Sequence, residues 1–498
     1  MIPGNSPDQK GAVPGGKRVK ALQLFSQGPL DLLVIGGGVV GAGVARDAAM
    51  RGLRVGLAEQ YDFAFGTSGR SSRLLHGGLR YLAQGRLGLV REASLEKRIL
   101  HRIAPHLAQP LPFLFPAYAG TPWPLWQLRL GVKLYDFLCN GKNFGKSEAF
   151  SRAELLAKMP QLSSEGLTGG VRYFDAFTND ARLVLDTLRS AVENGAIICN
   201  YLKFKTANRE SGNWLCELED SECGRKWNVR ARAMVNASGP WAELVPRSQV
   251  KLRLTKGIHI VIERTHLPTS EAIAITQGKR LLFILPWGER LIVGTTDTDY
   301  SGTIDDVRAT AEDVNYLLGT VNKYFPHLTL TREHVLSAWA GLRPLIADPN
   351  GSPSEIPRSH QLRNPEPGWW DLAGGKLTTY RLMAEQTLDA IVRWLKETAG
   401  CKAGPCRTSE QPLLTREQTQ GVSGILPAEV KREVVEHYCA DEWALHLDDL
   451  MLRRTGWQHY LPNASGIAEQ VADWMKEFLG WSSDKRDAEL RRYRQSVY

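Results

Sequence analysis

A chain of 498 residues is too long for one compact core, so two or three domains are expected, each able to bury apolar surface without disulfide staples. Its 62 basic and 53 acidic residues are well mixed, and the formal charge of +9 fits nucleic acid, an anionic substrate or an anionic membrane surface equally well. No apolar run reaches the roughly 18 residues of a spanning helix. The seven cysteines (Cys139, Cys199, Cys216, Cys223, Cys401, Cys406 and Cys439) lack CxxC pairs or zinc spacing, which suggests reduced thiols in a cytosolic compartment.

Residues 1–30 are rich in Gly, Pro, Gln and Lys and lack the apolar core of a signal peptide, so they are expected to form a mobile leader. The stretch from Leu32 to Glu59 follows. An apolar run (Leu32 to Ile35) feeds Gly36, Gly38 and Gly41 in GxGxxG spacing, a helical stretch continues to Met50, and a second strand (Arg54 to Ala58) ends in Glu59. Gly36 allows the tight turn, Gly38 lets backbone approach a pyrophosphate, and Gly41 lets helix and strand pack closely. A carboxylate at Glu59 suits an adenosine ribose 2′-hydroxyl, which argues for FAD or NAD and against a 2′-phosphorylated cofactor.

The next segment, YDFAFGTSGRSSRLLHGGLRYL, offers hydroxyls and backbone donors at Thr67, Ser68, Ser71 and Ser72. Gly77 and Gly78 remove side chains, and Arg80 and Tyr81 follow at once. Leu89 to Leu107 reads as an amphipathic helix that stops in a proline-rich region. From Thr121 to Cys139, Arg129, Lys133 and Asp136 form a polar stripe beside Trp123, Trp126, Leu130, Leu134 and Phe137, the pattern of a helix that is either buried or interfacial. Asn179 or Asp180 can cap a helix running to Asn194 and closed by Gly195. Strands then alternate with turns to Met234, Val235 to Gly239 returns to the nucleotide site, and Leu252 to Gly294 is β-rich.

Gly351 to Pro367 reads as a loop, and the chain re-enters the cofactor domain from Trp369 to Lys396. There GGKLTTYR places two glycines before a helical stretch, so free N–H groups and a helix dipole meet at one point, with Lys376 adding a charge. From about Pro405 the sequence becomes helical, with WALHLDDLMLRRT as an amphipathic segment and no calcium-binding EF-hand pattern. No second GxGxxG follows Gly41, so electrons are expected to come from a reduced substrate and leave to a non-nucleotide acceptor.

The fingerprint and TSGRSSRLLHGGLRYL together resemble the FAD-dependent glycerol-3-phosphate dehydrogenases, whose pattern is GGGxxGAG followed by TSxxSSxLxHGGLRYL. The resemblance continues through VNASGPW (Val235 to Trp241), KGIHIVI (Lys256 to Ile262), LPWGERLIVGTTDTDY (Leu285 to Tyr300), GLRPL (Gly341 to Leu345), GGKLTTYR (Gly374 to Arg381) and DDLMLRRT (Asp448 to Thr455). Departures are Val40, where members often have Asn, Arg73 for Lys, Ser238 for Thr and Ile258 for Ser.

The resemblance implies an α/β fold: an FAD-binding Rossmann-like domain (31–111, 175–245 and 368–400), an inserted β-rich substrate or cap domain (112–174 and 246–367) and a C-terminal helical domain (401–498). Beyond Gly36, Gly38, Gly41 and Glu59, it assigns cofactor contact to Thr67, Ser68, Ser72, His76, Gly77, Gly78 and Leu79. Gly239, Gly374, Gly375, Lys376, Leu377 and Thr378 complete that set. Substrate recognition falls to Arg80, Tyr81, His259, Arg343 and Lys376, with His259 as base and Arg343 stabilising the developing alkoxide.

The implied reaction oxidises sn-glycerol 3-phosphate to dihydroxyacetone phosphate and passes electrons to ubiquinone or menaquinone. The implied location is the cytoplasmic face of the inner membrane, peripherally attached to anionic lipid, with a homodimer left open. Two rivals share parts of the pattern. An amine or hydroxy-acid oxidase would keep Gly36 to Glu59 but lack the cationic cluster, and a non-catalytic flavoprotein would use its basic surface on nucleic acid, although nucleic acid is not the expected partner.

Overall fold

The computed structural model of the protein describes residues 16–82, 85–139, 143–278, 280–347 and 360–497. Helix α1 (Gly16–Phe25) leads into β1 (Leu30–Ile35), α2 (Val39–Met50) and β2 (Val55–Ala58). β1 pairs in parallel with β2 (Val34↔Leu57) and with strand Lys226–Asn236 (Val34↔Val235). Strands Trp369–Gly374 and Ile197–Cys199 extend this sheet in parallel on its two sides. Its members read as nearly continuous apolar runs because both faces are covered, one by α2 and the helices beside it, the other by α1 together with the antiparallel strands Leu202–Glu210 and Asn213–Asp220.

α2 is wedged between helices Asp180–Glu193 and Tyr380–Ala399, and its small residues make that possible. A Cβ on Gly43 would lie 2.9 Å from Tyr380 Cδ2. The helix Asp180–Glu193 starts as expected, with Asn179 Oδ1 accepting from the Arg182 N–H at 3.3 Å.

The second sheet is built mainly from strands Gln109–Tyr118 and Leu167–Phe177 and the run between Leu252 and Ile346. Strand Val335–Ile346 pairs antiparallel with Leu252–Glu263 over almost its whole length, bringing Thr255 opposite Arg343 and His259 opposite Trp339. The short strand Leu74–Leu75 pairs with Phe177 and Ala176, so the loop after β2 is stitched directly to this sheet. The domain limits at 112 and 174 therefore fall inside strands. The loop expected from Gly351 to Pro367 is also revised: 351–359 lie outside the described residues, while His360–Glu366 forms an antiparallel edge strand of the first sheet.

Two larger corrections concern the ends. Residues 1–15 lie outside the described residues, but Gly16–Phe25 is a helix rather than part of a mobile leader. Its Arg18 is buried, donates to both carboxylate oxygens of Asp220 (3.0 and 2.7 Å) and reaches the carbonyl of Asn200. At the other end, the tail does not separate at 401. Arg46 of α2 donates to the carbonyls of Thr408, Gln411 and Pro412, and Leu413 is buried in the core of the first domain.

A helical core of its own forms from Arg432 onward. The segment expected to be amphipathic is instead buried, and Asp449–Arg454 is a π-helical turn. Arg453 and Arg454 both donate to the buried carboxylate of Asp62 at 2.5 to 2.8 Å, which holds that carboxyl well below the usual range and locks the tail onto the first domain.

Candidate active site

One cavity of about 520 Å³ runs between the two sheets. At its first end lie Gly36, Gly38 and Val39 at the start of α2 and Glu59 at the end of β2. Gly38 caps α2 without any side chain, and Ser68 Oγ accepts the Val39 N–H at 3.0 Å. Gly36 holds φ +109°, open to glycine alone, while a Cβ on Gly41 would lie 1.9 Å from the Gly36 carbonyl oxygen. Gly41 thus serves packing and does not line the cavity. The Glu59 carboxylate accepts from the N–H groups of Gly37 (2.6 Å) and Tyr61 (2.8 Å), and burial raises its pKa to about 7.

The middle of the cavity is built by two loops that bond to each other. Thr378 Oγ1 accepts the His76 N–H at 3.0 Å, joining the loop of Gly77 and Gly78 to the turn of Gly374, Gly375 and Leu377. Gly78 (φ +82°), Gly374 (φ +75°) and Gly375 (φ +86°) all need the left-handed region. Leu79 and Gly239 also line the space, and Thr67, which does too, donates its hydroxyl to the Leu342 carbonyl at 2.6 Å. Gly77 stands behind the wall: its N–H donates to Tyr135 Oη (2.9 Å) and Asp175 Oδ1 (3.2 Å).

The far end gathers side chains from widely separated strands. His259 is buried, stacks on Trp339 with ring centroids 5.1 Å apart, and places Nε2 2.8 Å from Ser72 Oγ. Burial, reinforced by the Arg343 and Arg73 guanidinium groups, holds its imidazole well below the usual pKa, so it is neutral. Arg73 itself lies 4.3 Å from the Trp287 ring and 5.3 Å from the Trp339 ring.

Arg343 donates to Thr295 Oγ1 (2.8 Å), the Thr296 carbonyl (3.1 Å) and Asp297 Oδ1 (3.1 Å). Gly257 makes room for it, since a Cβ there would lie 2.3 Å from Arg343 Nη2. Lys376 Nζ sits 4.0 Å from the centre of the Tyr81 ring. The side chain of Arg80 lies outside the described residues. Ser72, expected to contact the cofactor, lines the cavity with its hydroxyl on His259. Thr295, Asp297 and Trp339 carry no signal of their own in the sequence, although the first two stand in the GTTDTDY block.

An apolar arm of the same cavity is lined by Phe113, Phe115, Trp123, Tyr173, Leu281 and Phe283. Beside it lies α4 (Leu125–Leu138), which packs on strands Leu167–Phe177 and Gln109–Tyr118 and on α3 (Leu87–Ile103). α4 buries Leu128, Val132 and Tyr135, whereas Trp126, Leu130 and Phe137 remain 64%, 62% and 75% exposed. Those three share one face with exposed Arg129 and Lys133 by helical spacing. Asp136 faces elsewhere, accepting the Ser147 N–H at 2.8 Å. In the tail, Arg492 pairs with Asp448 and Arg494 with Glu469. Among the described residues no helix is long and apolar enough to cross a membrane.

Residues 31–403 match the family of FAD dependent oxidoreductases. The chain is 38% identical to the aerobic glycerol-3-phosphate dehydrogenase of Staphylococcus aureus (strain USA300) over 387 residues, covering 76% of this chain and 70% of that protein. Among solved structures, it is similar to the glycerol-3-phosphate dehydrogenase from Bacillus halodurans complexed with FAD, with a TM-score of 0.76 and 28% identity over 96% of this chain and 97% of the other. The L-alpha-glycerophosphate oxidase from Mycoplasma pneumoniae, with FAD bound, shares the fold at TM-score 0.60 and 19% identity, covering 78% of this chain and 100% of that one. The first end of the cavity fits that cofactor: an open helix N-terminus beside a side-chain-free Gly38, and a carboxylate closing β2.

Proposed function

From the premise that this chain belongs to the FAD-dependent glycerol-3-phosphate dehydrogenases and uses FAD, we propose that it oxidises sn-glycerol 3-phosphate to dihydroxyacetone phosphate and passes the electrons to a membrane quinone. The observation that carries this reading is the meeting of Arg343, Lys376, Tyr81 and a neutral His259 in the cavity that begins at Gly36 and Glu59. Bound FAD supplies the two-electron acceptor that takes hydride from the C2 carbon of the alcohol.

The chain's own groups supply the rest. A neutral imidazole can accept the hydroxyl proton, and Ser72 Oγ at Nε2 fixes the ring while Trp339 stacks beneath it. Arg343 is preorganised by Thr295, Thr296 and Asp297, and its positive charge favours a developing alkoxide or the substrate phosphate. Lys376 adds a second cation over the Tyr81 ring. We assign cofactor contact to the glycine-rich loops and Glu59, and substrate contact to Tyr81, His259, Arg343 and Lys376, with Arg80 adjacent in the chain.

Two features support the quinone and the membrane. The aromatic arm beyond Tyr81 suits a flat, apolar acceptor, and the outward face of α4 combines Trp126, Leu130 and Phe137 with Arg129 and Lys133. That is the composition of a helix lying in a lipid interface, where each basic residue near anionic lipid contributes about 1 kcal/mol. The deciding experiment is turnover of glycerol 3-phosphate by purified holoenzyme with a short-chain quinone. Stoichiometric ketone and quinol are expected. Turnover with molecular oxygen alone and none with quinone would overturn the acceptor.

A further inference from the structure

The outward face of α4 and the loop of Gly77 are joined through one hydroxyl. Tyr135, on the inner side of the helix, accepts the Gly77 N–H at 2.9 Å and donates to Asp175 Oδ1 at 2.5 Å. Lys97 of α3 reaches the same carboxylate oxygen at 2.8 Å and the Phe174 carbonyl at 3.1 Å. Tyr135, Asp175 and Lys97 are all buried, and burial, reinforced by the Asp175 carboxylate, raises the phenol well above its usual pKa.

The fit around Gly77 leaves no slack: a Cβ would lie 2.3 Å from Tyr135 Oη and 2.6 Å from Ser94 Oγ. The neighbours His76, Gly78 and Leu79 line the cavity, and α4 also packs on the turn Leu79–Tyr81. A buried, charge-assisted set of this kind resists partial adjustment, because each group separated from its partner bears a desolvation cost. The loop and α4 are therefore held as one unit.

We propose that Tyr135 is a positioning residue that ties the Gly77–Gly78 loop to α4, so that a lipid surface taking up Trp126, Leu130 and Phe137 sets the position of that loop at the flavin. The proposal rests on the membrane reading given above. Lipid is the occupant because the exposed face pairs aromatic and aliphatic side chains with two cations, while Asp136 of the same helix is turned to Ser147.

The test compares wild-type and Tyr135→Phe holoenzyme with and without vesicles of phosphatidylglycerol and phosphatidylcholine. Flotation, the visible flavin spectrum and the rate of anaerobic flavin reduction by glycerol 3-phosphate are read on the same samples. Wild type is expected to float, to shift its flavin band and to change its reduction rate about fivefold, the lower range for coupling between sites. Tyr135→Phe is expected to float equally and to show no vesicle response.

A Tyr135→Phe response equal to wild type overturns the proposal. Wild type that floats with an unmoved flavin overturns the coupling and leaves membrane docking standing, whereas wild type that does not float removes both. Should Tyr135→Phe fail to fold, Asp175→Asn breaks the same set and carries the same expectation.

Discussion

The two ends of the cavity are made by different means. At the cofactor end, function is carried by backbone: Gly36 and Gly38 expose the start of α2, and Glu59 is held by two N–H groups from residues close to it in the chain or in the sheet. At the substrate end, the described candidates are side chains held by partners far away in sequence, such as His259 by Ser72 and Trp339, and Arg343 by Thr295 and Asp297. The first design fails all at once when a side chain intrudes. The second fails by degrees, one contact at a time.

The largest expected effect is at the backbone end. Gly38 has φ −79°, so valine there is compatible with the fold, but its added Cβ would lie 3.1 Å from Ser68 Oγ with the branch methyls beyond it. Gly38→Val is expected to purify without flavin while keeping its far-UV circular dichroism. Full flavin occupancy would break the contrast.

At the substrate end, Arg343→Ala is expected to keep its flavin and raise KM for glycerol 3-phosphate by about one to two decades, the consequence of losing roughly 1.5 to 3 kcal/mol of charge-assisted bonding. Glycerol, which has no phosphate, serves as the control in steady-state assays with a soluble dye. Equal losses on both substrates would indicate structural damage instead. A sharper version leaves every charge in place: Gly257→Ala drives a methyl into the space held by Arg343 Nη2, and is expected to reproduce the KM effect at about tenfold. An unchanged KM would show that the seat of Arg343 is not what orients it.

This contrast also explains what the sequence disclosed. β1, α2 and Glu59 lie within 30 consecutive residues, so spacing alone conveys their geometry. His259 and Arg343 carry no local signal, and only the wider family pattern pointed to them. Pairings such as Arg18 with Asp220 or Tyr135 with Asp175 follow from topology, which periodicity does not encode. Hence a polar stretch before β1 read as a leader, although one buried ion pair docks it as a helix. The segment WALHLDDLMLRRT read as amphipathic for a related reason: its charges neutralise Asp62, more than 380 positions earlier, instead of facing water.

The smallest effect is a pH dependence at the backbone end. Burial raises the Glu59 pKa to about 7, and hydroxyl donors from a ribose favour its anionic form, so cofactor binding releases a proton. FAD affinity of the apoprotein, measured by fluorescence quenching, is therefore expected to weaken as pH falls below about 7, approaching tenfold per unit at most. Glu59→Gln is expected to bind more weakly and to lose this slope. A slope that persists in the variant would assign the proton elsewhere.

In the proposed reaction one cavity holds FAD at its glycine end and a phosphorylated alcohol at its cationic end. The most direct test is stopped-flow mixing of the oxidised holoenzyme with glycerol 3-phosphate or with glycerol under anaerobic conditions, following flavin absorbance. Complete bleaching that saturates at low glycerol 3-phosphate is expected, with bleaching by glycerol only at far higher concentration. Equal bleaching by the two alcohols, or none by glycerol 3-phosphate, would contradict this arrangement.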